Sequence, residues 1–231
     1  MQLAEKRTQT TEVMVNSFVQ SVYNWMAVGL GLTALVAFVV ASNETLLRAA
    51  YSARMFLIIG ELALVFILVG RVHKMSAFTA TALFLFYSAL NGATLSVIFI
   101  VYTMSSIAST FFVCAVTFMA CSIYGWVTKR DLTSLGGFMF MGLIGIIVAS
   151  LVNLFMQSSA MAMIISYIGV FIFIGLTAYD TRKLKSMAMS QPAGLDAAVL
   201  RKGAILGALT LYLDFINMFL FLLHIFGGGR D

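Results

Sequence analysis

Seven apolar runs, each long enough to cross a bilayer, alternate with short polar segments along the chain. A span needs ~20 mostly apolar residues, and the runs fall at about 22–40, 55–72, 77–102, 107–127, 135–156, 161–179 and 203–226. Within the last, GAILGALTLYLDFINMFLFLLHIF, the residues Gly203, Gly207, Thr210, Asp214 and Asn217 recur in steps of four and three. On a helix that spacing gathers the small and polar groups on one stripe and leaves Leu, Phe and Met for the rest. Such a helix belongs inside a bundle, its stripe turned toward other helices or a water-filled cavity. The pattern predicts an all-α, polytopic membrane protein of seven transmembrane helices.

The polar segments complete the layout. Residues 1–21 mix charges (Glu5, Lys6, Arg7, Glu12) and read as a cytoplasmic tail with an interfacial helix from Thr10. The first apolar run is too long for a signal-peptide core, so it is kept as a true span, and 22–227 form one transmembrane domain. Glu44, Arg48 and Arg54 lie in a short connection. Gly137, Gly142, Gly145 and Ala149 in span five would permit close helix approach. The most polar stretch, 181–201, contains the chain's one proline, Pro192, and reads as a connection.

Composition sharpens this picture. The 231 residues are 61% hydrophobic and 10% charged, with a mean hydropathy of +1.02, which excludes a soluble domain. The net charge of +5 reflects topology and not nucleic-acid binding, because Lys and Arg collect in cytoplasmic loops. With the N-terminus inside, all of the 14 basic residues but Arg48, Arg54 and Arg230 fall on the inner side. Seven spans then put the C-terminus outside. Cys114 and Cys121 lie two turns apart on one helix, a rise of ~10 Å that is too far for a disulfide, and read as structural thiols.

Three carboxylates fall inside or at the edge of the membrane runs: Glu61, Asp180 and Asp214. A charge at mid-membrane costs roughly 2.5–3.5 kcal/mol, which makes each a candidate functional group whose partner must be named. Each also has a plainer role. Asp180 could answer the basic cluster Arg182, Lys183 and Lys185; Glu61 could sit neutral and hydrogen-bonded; Asp214 could be purely structural; and Arg71, the cation at the inner end of span two, could serve topology alone. The sharper reading pairs Asp180 with Asp214. Two carboxyl groups at hydrogen-bond distance share a proton and titrate as a unit, a pH-sensitive latch. Deprotonated, they offer up to four oxygens to Ca²⁺, which prefers ~6–8, so the pair suits weak, transient binding during transit. Tyr212 and Asn217 flank Asp214 as secondary candidates, with Glu61. If Arg71 reaches either aspartate, the salt bridge would be a gate. In ideal straight helices with these span limits, however, Asp180 and Asp214 differ in depth by ~15 Å.

The segments GLTAYDTRKLK (175–185) and GALTLYLDFINMFLFLLHIFG (207–227), with SIASTF and TKRDL, closely resemble the Bax inhibitor-1 family, most of all its proteobacterial inner-membrane branch. The resemblance covers nearly the whole chain. It implies a seven-helix fold with the last helix central and a pH-sensitive calcium leak. Asp180 and Asp214 match the family's sensing pair, Glu61 matches an acidic position in span two, and Arg71 matches the locking arginine with a register difference of about one residue. It also implies the bilayer, protons and calcium ions as partners, calcium being the permeant ion and no cofactor being needed. Some bacterial relatives instead associate with a membrane-bound AAA protease.

The function expected is therefore a calcium leak channel and not an enzyme. The alternative is a non-transporting regulator of that protease in membrane protein quality control, with 181–201 and the N-terminal tail as contact surfaces. An intramembrane aspartyl protease fits poorly: its second aspartate should follow Gly-x-Gly, and here Leu211-Tyr212-Leu213 precedes Asp214. A secondary transporter fits poorly too, since no paired repeat is visible.

Overall fold

The computed structural model describes residues 2–190 and 196–228, with side chains from Val13 onward. The helices are α1 (Gln2–Ala41), α2 (Glu44–Ser52), α3 (Arg54–Arg71), α4 (Ala77–Leu95), α5 (Ile98–Val101), α6 (Met104–Val127), α7 (Thr133–Met156), α8 (Ser159–Met189) and α9 (Ala197–Phe226), with a 3₁₀ turn at Val72–Lys74. Seven helical stretches among these residues are long and apolar enough to cross a membrane. Their outward residues are large and apolar, Phe56, Phe66, Phe78 and Phe155 all being at least 76% exposed. Surface of that kind is tolerable in lipid and not in water.

Three element boundaries differ from those expected. The N-terminal segment is not separate from the first span, because α1 runs unbroken from Gln2 to Ala41. The connection after it is helical: the Asn43 side chain caps α2 by accepting from the Thr45 and Leu46 amides at 3.0 and 3.1 Å. Glu44 and Arg48 then pair across one turn of α2. The third change matters most. Helix α8 continues past Asp180 to Met189 and α9 begins at Ala197, so most of the stretch read as a polar connection is helix. Residues 191–195, including Pro192, lie outside the described residues.

The chain divides into two compact units, 1–101 with 185–212 and 102–184 with 213–231. In the first, α1 packs chiefly on α4, and α4 also packs on α3. Val22, Phe84 and Ser88 are fully buried there, as are Ile205 and Tyr212 of α9. In the second, α9 supplies Phe215, which stands edge-on to Phe111 and Phe118 of α6, each at 5.4 Å between ring centroids. Helix α8 meets α9 at Phe173 and Phe221, 6.0 Å apart. Overall α9 is the most buried span, with 67% of its apolar window inside against 11–39% for the others.

Close helix approach depends on glycine at two places. A Cβ on Gly92 of α4 would lie 2.6 Å from the Thr33 carbonyl oxygen of α1. One on Gly125 of α6 would lie 2.3 Å from the Ala178 carbonyl oxygen of α8. Backbone cannot move aside as a flexible side chain can. In span five, by contrast, Gly137 and Gly145 face open space, and of the three glycines expected to mediate contact only Gly142 does so, against Ile172. Gly92→Ala and Gly125→Ala should each destabilise the protein by roughly 1–3 kcal/mol, read as thermal unfolding in detergent. Gly137→Ala and Gly145→Ala should leave it unchanged or slightly firmer.

Candidate functional site

Asp180 and Asp214 meet. Their side chains are hydrogen-bonded to each other in the second unit. Two features of the helices bring this about. Because α8 runs on to Met189, Asp180 is an interior helix residue and not the last of a span. Because α8 and α9 run antiparallel, Phe173 falls opposite Phe221, and two turns along both helices Asp180 falls opposite Asp214. The depth mismatch expected from the sequence came from ending span six at the edge of its apolar run.

The two partners are unlike in setting. Asp214 is 4% exposed, whereas Asp180 is half-buried. Asp214 Oδ2 is buried without a hydrogen-bond partner among the described residues. A hydrogen bond between two carboxyl groups requires a proton between them, so this is a contact that a singly or doubly protonated pair can make and a fully ionised one cannot. Lys183, one turn beyond Asp180, is the cation whose charge acts on that aspartate. Its ammonium lies 5.7 Å from the Tyr179 ring centroid. Arg182 acts instead on Asp131 in the loop before α7. There the Thr133 hydroxyl and amide, donating at 2.6 and 2.9 Å, hold the Asp131 carboxyl below the usual carboxylate range, with a smaller contribution from Arg182.

Around Asp214, α9 is fixed in rotation by its neighbours. Phe215 is clasped by Phe111 and Phe118, and the Cys114 thiol points at the Phe215 carbonyl at 3.7 Å. Cys114 and Cys121 are both free thiols. Asn217 turns its amide back to the Leu213 carbonyl at 2.8 Å, within its own helix.

The other candidates lie in the first unit. Tyr212 does not act as a free polar group: its hydroxyl donates to Thr33 Oγ1 at 2.6 Å, and Thr33 in turn donates to the Ser88 carbonyl at 2.8 Å. The Tyr212 ring stands edge-on to Phe84 and Tyr87. Glu61 accepts from the Thr94 hydroxyl at 2.5 Å, between α3 and α4. Arg71 is exposed in the last turn of α3 and forms no ion pair among the described residues. His73 offers its backbone carbonyl to Lys202 at 3.4 Å, and His224 is exposed near the end of α9. Thr33 and Thr94 had no signal in the sequence, since an uncharged hydroxyl in an apolar run is commonplace. Among the described residues no group of three or more His, Cys, Asp or Glu side chains is gathered as a metal cage would require.

Comparison with known proteins places this geometry in a lineage. The family model described as "Inhibitor of apoptosis-promoting Bax1" matches residues 15–231. The inner membrane protein YbhL of Escherichia coli (strain K12) is 53% identical over 219 residues, 94% of this chain and 93% of that one. A protein of Deinococcus radiodurans is 46% identical over 231 residues, 100% of this chain and 98% of its own. One from Borreliella burgdorferi is 44% identical over 225 residues, 95% and 96%.

The Tyr212–Thr33 bond allows a direct check on the first unit. Tyr212→Phe keeps the ring packing and removes one buried hydrogen bond, and should cost about 1 kcal/mol in detergent unfolding. Thr33→Val should cost at least as much, since it also removes the hydrogen bond from α1 to the Ser88 carbonyl of α4. The double substitution should cost less than the sum, because the two share one interaction.

Proposed function

The chain belongs to the Bax inhibitor-1 family, and from that premise we propose that it is a pH-responsive calcium leak channel of the bacterial inner membrane. The observation that carries the proposal is the hydrogen-bonded Asp180–Asp214 pair, one member of which is almost wholly buried in the most buried span. The inner membrane as location is supported by the 53%-identical YbhL, an inner membrane protein by name. The charge distribution of the loops supports a cytoplasmic N-terminus and an external C-terminus.

In this reading the shared proton is the latch. While it is present the two carboxyl groups attract, and α8 stays tied to α9. Its loss puts two like charges face to face in a poorly solvated site, where repulsion is strong. The pair then parts and its oxygens turn to a passing cation. Calcium fits this transit role: it is a hard cation that accepts carboxylate oxygen. Two carboxylates alone are too few ligands to hold it for long. Arg71 keeps the place of gate partner that the family resemblance gives it, and Glu61 that of a second membrane carboxylate.

Calcium uptake into liposomes holding the purified protein should therefore rise as pH is raised through the titration of the pair. Asp180→Asn and Asp214→Asn should each abolish that pH dependence, since an amide donates to the remaining carboxyl group without a titratable proton. A wild-type flux no greater than that of empty liposomes at every pH would overturn the channel reading. Co-purification of a membrane AAA protease in its place would then support a regulator that transports nothing.

A further inference from the structure

The first unit has a second polar feature, at the opposite end of α1 from its apolar tip. A cavity of ~490 Å³ is lined by Ser17, Gln20, Ser21, Asn24, Trp25 and Val28. At Trp25 the exposed face of α1 changes character. Val28, Leu35, Phe38 and Val39 are exposed beyond it; in the turns just before it the exposed residues are Asn16, Ser17, Gln20 and Asn24, with Val13 and Met14 exposed further back. The rim of the hydrocarbon layer therefore crosses α1 near Trp25, the depth at which tryptophan is favoured. Over the Trp25 ring, 5.3 Å from its centroid, lies the guanidinium of Arg201. Arg201 is exposed and forms no ion pair among the described residues. The adjacent Lys202 reaches the His73 carbonyl, so the basic end of α3, with Lys74, stands beside the same end of α9.

We propose that this cavity holds the headgroup of one anionic phospholipid, with Arg201 as its counter-charge. A phosphodiester accepts two parallel N–H bonds from a guanidinium, here one already held over an aromatic ring. The hydroxyl and amide groups of Ser17, Gln20, Ser21 and Asn24 suit a glycerol headgroup, which both donates and accepts. Val28, just inside the rim, then meets the start of an acyl chain. A soluble anion would satisfy Arg201 but gain nothing from a cavity that opens onto lipid-facing residues.

The two tryptophans of the chain make the test direct. In the Trp126→Phe variant, Trp25 alone reports. In nanodiscs, phosphatidylglycerol carrying a quencher near its headgroup should quench Trp25 with roughly fivefold preference over labelled phosphatidylcholine. That ratio corresponds to about 1 kcal/mol for one basic contact at the membrane surface. Arg201→Gln should remove the preference. So should Gln20→Leu with Asn24→Leu, which removes the amide groups that would bind the headgroup and leaves the charge, whereas Lys74→Gln should not. Equal quenching by the two lipids, or a preference that survives loss of the Gln20 and Asn24 amides, would overturn the proposal and leave Arg201 as a general surface charge. Displacement of the labelled lipid by soluble glycerol phosphate would overturn it in favour of a water-borne phosphate. Native mass spectrometry of the unaltered chain and of Arg201→Gln provides a second readout. Retained phosphatidylglycerol should be found on the first and lost from the second, and equal retention would count against the site.

Discussion

Two carboxyl groups that face each other inside a membrane can stay together only while a proton lies between them. The second unit of this protein is arranged around that constraint. Burying Asp214 in the most enclosed helix makes its charge costly, and setting Asp180 opposite it makes a second charge costlier still. The clasp of Phe111 and Phe118 on Phe215, and the packing of Phe173 on Phe221, set the two helices so that Asp180 falls opposite Asp214. Packing thus brings the groups face to face, while protonation decides whether the contact is favourable. Separating those two tasks is what the proposed pH latch requires of the helix pair.

The first unit obeys a different rule. Three of its polar groups are satisfied by uncharged partners, Tyr212 by Thr33, Thr33 by Ser88 and Glu61 by Thr94, while Asn91 Oδ1 is buried without one among the described residues. The close contact of α1 with α4 at Gly92 is what allows Thr33 to reach the Ser88 carbonyl. In lipid, where helices gain nothing from mutual apolar burial, such close contacts and interhelical hydrogen bonds are what remains to hold them. Helix α9 contributes to both units, giving Tyr212 to the one and Asp214 to the other.

Much of this was legible in the chain. Seven spans follow from hydropathy because the bilayer permits no other way to hide backbone polar groups in an apolar run. Asp214 stood out because a lone carboxylate in such a run demands a partner. Helix ends were not legible, for a physical reason: hydropathy marks where the membrane stops, not where the helix does. Thr181–Met189 is polar enough to look like a loop, yet it continues α8 into the interface, and that continuation makes Asp180 an interior residue. The same error separated residues 1–21 from α1. The α2 helix could have been found, since Asn43 followed by Glu44 is a sound helix start. The contacts of the glycines could not. Gly137 and Gly142 look alike in sequence, and only the neighbouring helix decides that Gly142 meets Ile172 while Gly137 meets nothing.

The shared proton can be observed without any transport assay. Infrared difference spectra of the protein in nanodiscs, titrated from acidic to mildly alkaline pH, report the carbonyl stretch of protonated carboxyl groups. Isotopic labelling of aspartate separates this pair from Glu61. The account predicts a protonated-aspartate band that fades as pH rises and is altered by Asp180→Asn as well as by Asp214→Asn. A spectrum with no such band at any pH at which the fold survives, or a band that neither substitution changes, would contradict it.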